Sequence, residues 1–129
     1  MKKSVILTIV AIAAGILSCK KDPLQATSPN SRVVKFRLYT NKNISDDNNI
    51  TFSIFIREKN ITLFDSTLAT MQIKDIPNAA NALTYEKKIY SNSILTAGFR
   101  YVIENVGHSS HLDTISANEK SKLIDYPFH

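Results

Sequence analysis

Residues 50–57 read ITFSIFIR, and this stretch decides the fold. Apolar side chains fill every second position of it, namely Ile50, Phe52, Ile54 and Ile56. The positions between them carry Thr51, Ser53, Phe55 and Arg57. Successive side chains of a β-strand point to opposite faces, so this alternation predicts a strand with one face buried.

Shorter alternating stretches on both sides predict six more strands. The seven predicted strands cover residues 33–39, 50–57, 61–64, 69–74, 83–89, 95–103 and 123–128. After residue 19 the sequence contains no amphipathic pattern long enough for a helix of ten residues. Short strands with turn signals between them are typical of an all-β antiparallel sandwich. We therefore predict an antiparallel β-sandwich of about seven strands.

Turn-forming residues separate these strands. Residues 41–49 (NKNISDDNN) predict a loop, because Asn and Asp tolerate left-handed backbone conformations. Lys59-Asn60 predicts the turn of a hairpin. Pro127 has no backbone N–H, so the last strand is expected at a sheet edge. The strand spacing resembles immunoglobulin-like, fibronectin type III-like and transthyretin-like sandwiches, although one Cys and no Trp exclude the Cys–Trp–Cys core of true immunoglobulin domains.

The chain begins with the three parts of a secretory signal. Lys2 and Lys3 precede the apolar residues 5–17, and Ser18 is a small residue in front of Cys19. This apolar run is shorter than the roughly 20 residues that a helix needs to cross a bilayer, so a spanning helix is the weaker alternative. We expect residues 1–18 to be a helical signal peptide that is removed.

Cys19 is the only cysteine and directly follows the expected cleavage site. Ile16-Leu17-Ser18-Cys19 resembles the lipobox of bacterial lipoproteins, in which the Cys thiol is acylated and becomes the new N-terminus. The resemblance implies a lipid anchor at Cys19, and several acyl chains attach a protein to a bilayer permanently. Residues 19–32 contain Pro and Ser without periodicity, so we expect a flexible tether there, followed by one β-sandwich domain over residues 33–129.

Nearly the whole chain resembles a family of small lipoproteins of Bacteroidetes-type bacteria. The resemblance rests on CKKD at 19–22, MQIKDIP at 71–77, TAGF at 96–99, IENVG at 103–107 and IDYPF at 124–128. It implies a lipid-anchored place in the cell envelope, at the outer membrane, and a β-sandwich domain without an established activity. An acid-rich stretch directs surface export in that group, whereas two Lys and one Asp follow Cys19 here. The periplasmic and the surface face therefore both stay open.

Charge and glycine content exclude two classes of ligand. The formal net charge is +5, but the sequence holds no run of five like charges, so we expect no nucleic-acid partner. Gly98 and Gly107 are the only glycines after residue 19. A loop that cradles phosphates needs several glycines, so P-loop and Rossmann motifs are excluded and we expect no cofactor.

The residues between His108 and Asp113 are the candidate for catalysis. Two imidazoles, from His108 and His111, and one carboxylate can hold zinc with an open position. Ser109 or Ser110 could serve as a nucleophile, but a triad needs a base that contacts the nucleophile and is itself oriented by a carboxylate. We expect an exposed loop with solvated histidines, no metal site and no enzyme. A metal-dependent or hydrolytic enzyme that uses the 108–113 loop is the alternative.

Binding is the other function that the residues suggest. Alternation does not place four aromatic residues in the core, namely Tyr39, Phe55, Phe64 and Tyr90. Exposed on a sheet, they could stack on sugar rings or contact a protein, but we expect them to pack under loops, along the second sheet or around strand ends. Asp65-Ser66-Thr67 and Asp113-Thr114-Ile115 resemble O-glycosylation sites of exported Bacteroidetes proteins. We expect a non-enzymatic envelope lipoprotein that is an accessory or structural module, or that binds a glycan or another envelope protein.

Overall fold

Seven β-strands and two short 3-10 helices make up the part of the chain that the structure describes, residues 29–129 of a computed structural model. The predicted signal peptide, Cys19 and residues 19–28 of the predicted tether lie outside the described residues. The strands are β1 (Ser31–Thr40), β2 (Asn49–Glu58), β3 (Ile61–Gln72), β4 (Leu83–Tyr90), β5 (Leu95–Ile103), β6 (Gly107–Ile115) and β7 (Ser121–Phe128). The 3-10 helices are Ile73–Asp75 and Ala79–Asn81. Between residues 29 and 129, no helix has the length and apolarity that a membrane crossing requires.

The strands form two sheets that pack face to face, in the orders β4-β1-β7 and β3-β2-β5-β6. This confirms the predicted all-β sandwich. One pairing departs from the predicted antiparallel arrangement, because β7 runs parallel to β1 from Val33↔Ser121 to Thr40↔Phe128. The chain crosses between the sheets after β6, and the Val33 N–H donates to the Lys120 carbonyl at 2.9 Å. β7 therefore starts beside the beginning of β1 and follows its direction.

The core contains the inward positions that alternation predicts. Fully buried members of it are Phe36, Leu38, Ile50, Phe52, Ile54, Ile56, Leu95, Phe99 and Ile124. Across the two sheets, the rings of Phe36 and Phe99 meet edge to face with centroids 5.6 Å apart. Phe52 meets Phe128 in the same way at 5.8 Å. Burial of each such side chain stabilises the fold by roughly 1.5–3 kcal/mol.

β3 corrects the prediction of two separate strands at 61–64 and 69–74. It is one strand of 12 residues that pairs with β2 along its whole length. The register shifts twice, between Phe52 and Ser53 and between Ile56 and Arg57 of β2. Each shift adds a residue to β3 and reverses which side chains face inward, so the period-two pattern is interrupted although the strand continues.

β6 corrects the prediction of an exposed loop at 108–113. Residues 107–115 pair with β5 without a register shift, from Ile103↔Gly107 to Leu95↔Ile115. β6 is the edge of the four-stranded sheet, and only Ile115 of it is buried. An edge strand with little buried surface needs few apolar side chains, and its polar sequence therefore gave no strand signal.

Other local predictions are confirmed. Lys59 and Asn60 form the turn between β2 and β3, with Lys59 in the left-handed region at a φ of 53°. β7 lies at the edge of its sheet, as Pro127 predicts. The first strand begins at Ser31, two residues before the predicted start of the domain.

Arg32 closes the end of the sandwich at which the described chain begins, and its side chain is buried. Its Nε donates to the carbonyl of Glu119 at 2.8 Å, and its Nη1 to the carbonyl of Ser93 at 2.6 Å. Nη2 donates to the carbonyls of Ile115 and Ser116. One side chain therefore fastens the loop before β5 and the loop before β7 to β1.

We expect Arg32→Met to lower the free energy of unfolding by about 3 kcal/mol, because buried carbonyls lose their donors. Methionine keeps much of the apolar volume of the arginine side chain, so the lost stability reports mainly the hydrogen bonds of the guanidinium. Urea unfolding followed by circular dichroism measures it. Lys35→Met is the matched control, because Lys35 is exposed and its Nζ forms only a long ion pair, 3.9 Å from Oε2 of Glu86. This variant should change the free energy of unfolding by less than about 0.5 kcal/mol. Equal midpoints for the two variants would contradict the assigned role of Arg32.

Candidate functional site

The two ends of the sandwich differ in shape. The chain enters at Asn30, beside the loops that Arg32 fastens. At the other end of β1 the surface is open, and a pocket of about 530 Å³ lies beside Thr40. β1 has ten residues, so roughly 30 Å separate the two ends at about 3.3 Å per residue. We call the opening the distal pocket; its polar lining comes from Thr40, Asn41, Lys42, Asn43, Lys74 and Asn78.

Thr40 fixes the floor of the distal pocket. Its backbone N–H donates to the Pro77 carbonyl at 2.8 Å. The buried Oγ1 donates to the carbonyl of Phe128 at 2.9 Å and accepts from the Lys42 N–H at 3.1 Å. The strand end, the C-terminal strand and the start of the 41–48 loop are therefore joined at one side chain.

Lys74 connects the 41–48 loop to the opposite wall. Its backbone N–H donates to the Asp46 carbonyl at 2.9 Å, and the neighbouring Ile73 N–H donates to Asn48 at 3.0 Å. The side chain of Lys74 forms an ion pair with Asp47. The hydrogen bond from this pair raises the pKa of Lys74 above its ordinary value. The loop is thus fastened at both of its ends.

The remaining polar groups of the pocket are available to a ligand. Within residues 29–129, the side chains of Asn41, Lys42 and Asn43 have no hydrogen-bond or ion-pair partner. Ile76 and Ala79 add apolar surface to the lining. Amides donate and accept hydrogen bonds, and an ammonium group donates three. This combination suits a small polar ligand that carries hydroxyl, amide or carboxylate groups.

The candidate metal-binding or catalytic residues of the enzymatic alternative are not brought together. His108 and His111 are three positions apart on β6, so their side chains leave opposite faces of the sheet. His111 stacks on Tyr126 with centroids 5.1 Å apart, and Asp113 forms an ion pair with Lys122 at 3.4 Å. Among residues 29–129, no group of three His, Cys, Asp or Glu side chains is placed to hold a metal ion.

The two candidate serine nucleophiles also lie on opposite faces of β6. Ser109, opposite Tyr101, lies on the same sheet face as His111. Ser110, opposite Arg100, lies on the same face as His108. Neither hydroxyl is hydrogen-bonded to a histidine in the described part of the chain. The geometry that the enzymatic alternative needs is therefore absent from β6.

The four aromatic residues do not share a platform. Tyr39 is largely buried, and its hydroxyl donates to Asp125 at 3.1 Å, a hydrogen bond that raises the pKa of Tyr39. Tyr90 is exposed and lies at the other end of the same sheet. Phe64 stacks on Tyr85 at 5.6 Å, on the inner side of the other sheet.

Phe55 is buried on the outer face of the four-stranded sheet, so it is packed rather than exposed. It lies opposite Gly98 of β5, where a Cβ would collide with the backbone carbonyl of His111. Arg57 and Arg100 cover the ring at 4.7 and 5.6 Å from its centroid. Asp65 receives two hydrogen bonds from Arg100, at 2.8 and 2.7 Å, and so holds it in place. Phe55 is thus part of a packed cluster and is not free for a ligand.

The two predicted O-glycosylation sites both present a threonine to solvent. Thr67 is exposed on β3 and Thr114 is exposed on β6. Both side chains belong to the outer face of the four-stranded sheet, opposite Ser53 and Thr96 respectively. Modification at either position stays a prediction.

Sequence reasoning missed the distal pocket. It identified residues 41–49 as a loop of turn-forming residues, which is correct for 41–48. The lining also needs Lys74 and Asn78, more than 25 residues away along the chain. Asn78 caps the 3-10 helix Ala79–Asn81 through its side-chain carbonyl, which accepts from the Asn81 N–H at 3.1 Å. An Asn directly after Pro77 was the only local signal for that turn.

Comparison with known proteins gives no relatives: no protein-family model, no curated protein and no solved structure matches this chain.

We expect Thr40→Val to loosen the distal pocket, because valine keeps the shape of threonine but removes both hydrogen bonds of Oγ1. The free energy of unfolding should fall by about 1–2 kcal/mol. Amide exchange of Lys42, measured by NMR, should accelerate at least tenfold. Thr84→Val, at an exposed position of β4, is the control and should leave the Lys42 amide unchanged. Unaltered exchange in Thr40→Val would contradict this account of the floor.

Proposed function

We propose that this protein is a cell-envelope lipoprotein whose sandwich domain is a non-enzymatic binding module. Its signal peptide ends at Ser18, the acylated Cys19 holds it on the outer membrane, and residues 20–30 connect the anchor to β1. The observation that carries the proposal is the position of the distal pocket. It opens at the end of β1 opposite to the one at which the chain enters, so attachment through the N-terminus leaves it uncovered.

The ligand class that this pocket favours is a glycan of the envelope. Sugar hydroxyls donate and accept hydrogen bonds, as the amides of Asn41 and Asn43 do. Lys42 adds a positive charge that no carboxylate among residues 29–129 neutralises by an ion pair. An acidic sugar therefore fits better than a neutral one. The apolar surface of Ile76 and Ala79 suits the C–H face of a sugar ring.

The lipid anchor is tested by growing cells that express the full chain with an alkyne-bearing fatty acid. We expect the native chain to take up the label and to sediment with membranes. Cys19→Ser should lose the label and keep the mass of the unprocessed precursor, because processing and acylation both need the thiol. Ser18→Thr, which keeps the cysteine, is the control. A native chain that is soluble, unprocessed and free of acyl mass would contradict the proposed lipid anchor and envelope location.

Ligand binding is tested by applying the full chain in detergent to a glycan array that includes uronic acids and sialic acids. We expect binding of acidic glycans, weakened at least tenfold in Lys42→Ala and in Asn43→Ala. Lys35→Ala is the control, since Lys35 is exposed on the outer face of the three-stranded sheet, away from the pocket. Binding that is lost equally in all three variants, or an array without signal, would contradict the assigned site.

A further inference from the structure

Four strands form the edges of the two sheets, and three of them carry features that block pairing with another chain. β3 has two register shifts against β2. β4 carries the consecutive charges Glu86, Lys87 and Lys88, and β7 contains Lys122 and Pro127. Bulges, lysines and prolines are the devices by which natural sheets prevent edge-to-edge association.

β6 has none of these devices. Its sequence, GHSSHLDTI, contains no Lys and no Pro, and its nine residues pair with β5 in unbroken register. Its outer rim is therefore a row of backbone groups that no other strand of the described chain covers.

The backbone groups on this rim belong to the even-numbered residues. The carbonyl oxygen of His111 is directed at β5, because a Cβ built on Gly98 would collide with it. The N–H of Thr114 is turned the other way and donates to its neighbour Asp113 at 2.8 Å. In an antiparallel ladder the two directions alternate along the strand. Ser110 and Leu112 therefore offer their N–H and carbonyl groups outward, and Thr114 offers its carbonyl.

This alternation restricts how a second β6 can pair with the first. In an antiparallel pair, even-numbered residues must lie opposite even-numbered residues to exchange hydrogen bonds. One such register places Leu112 opposite Leu112 of the second copy and Ser110 opposite Thr114. The same register places His111 opposite Asp113, and by symmetry this pair occurs twice. An imidazole N–H can donate to a carboxylate that faces it, and such cross-strand side-chain pairs stabilise a pairing of strands.

The apolar surface at the rim fits the same register. Leu112 is 57% exposed and lies next to Gly98, which in turn lies next to the packed ring of Phe55. Because Gly98 has no side chain, Leu112 has no neighbour on the β5 side. Contact with Leu112 of a second copy would join the two apolar rows across the interface and remove both leucines from water.

We propose that β6 is a self-association edge through which two copies of this chain form a symmetric dimer with one continuous eight-stranded sheet. A two-fold axis through the Leu112 pair relates the copies, so the interface is isologous. The two chains then enter at opposite ends of the dimer. Eleven residues between Cys19 and Ser31 reach up to about 36 Å, which exceeds the roughly 30 Å length of β1. With the strands parallel to the bilayer, both anchors can therefore reach it while each distal pocket opens sideways.

The register is tested by oxidative crosslinking of full-length Leu112→Cys in native membranes. Residues opposite each other in a hydrogen-bonded pair have Cα atoms about 5.5 Å apart, which is a favourable distance for a disulfide. We expect a covalent dimer as the main product. Ser110→Cys is the matched control: its two copies would be four positions out of line, more than about 13 Å apart, and should stay monomeric. The native chain, oxidised in the same way, shows whether Cys19 alone forms a covalent dimer.

Solution measurements test the dimer without a new cysteine. In detergent, Leu112→Asp should raise the dimer dissociation constant at least tenfold, whereas Val102→Asp should not. Val102 is 55% exposed on the same face but lies one strand inward. His111→Asp should weaken the dimer by placing two carboxylates together, and combining it with Asp113→His should restore it. Crosslinking of Ser110→Cys but not of Leu112→Cys, or a monomeric native chain in detergent and membranes, would overturn the proposal.

Discussion

The fold depends on one buried cation, the guanidinium of Arg32. It sits at the end of the sandwich where the chain enters, and backbone carbonyls from two loops surround it. Glu58 lies close by, and hydrogen bonds from Ser93 and Ser91 hold the pKa of its carboxyl below the ordinary value. A charge placed in such a site is costly unless its buried nitrogens are hydrogen-bonded. Among the described residues no buried side-chain polar atom lacks a partner, so this requirement is met.

The same contacts determine where two strands begin. The loop that ends in β5 and the loop that ends in β7 both give carbonyls to Arg32, at Ser93 and at Glu119. Fixing these loops places β7 beside β1 with the parallel direction that the sequence did not predict. A hairpin would have imposed the antiparallel direction, but β7 follows a strand of the other sheet. The connection, and not local propensity, therefore sets the direction of this pair.

The sequence predicts the core of this fold well because burial imposes alternation. In β1, β2 and β5 one face meets the opposite sheet, so apolar residues recur at every second position, as in Val34, Phe36 and Leu38. The signal fails where burial is weak or the register changes. β6 buries little and needs no apolar face, and the two bulges in β3 break the period. Phe55 interrupts the alternation because the outer face has its own small packed cluster, in which Arg57 and Arg100 cover the Phe55 ring.

The candidate site could not be predicted from sequence for a different reason. The distal pocket joins the end of β1, the loop 41–48 and residues near the 3-10 helices, and only the tertiary fold brings these segments together. Local patterns identify each segment as a turn, but they do not report which turns share one end of a sandwich. The reverse held for His108 and His111, which are close in sequence and were weighed as a candidate pair but lie on opposite faces of β6. A strand separates residues three positions apart, whereas a helix or tight loop would have joined them.

The position of β1 connects these features to the proposed anchor. β1 is the central strand of its sheet and has eight paired residues with β4 and eight with β7. A pull on the N-terminus along the strand would load both ladders in shear at once, so no single hydrogen bond would carry the force alone. An edge strand would share the load with one neighbour only. Arg32 is the second residue of β1, and its hydrogen bonds connect the strand to both loops at the point where the force would act. The domain therefore resists unfolding best at Ser31, where the proposed tether would pull on it. The loops of the distal pocket lie at the opposite end of β1, away from this force.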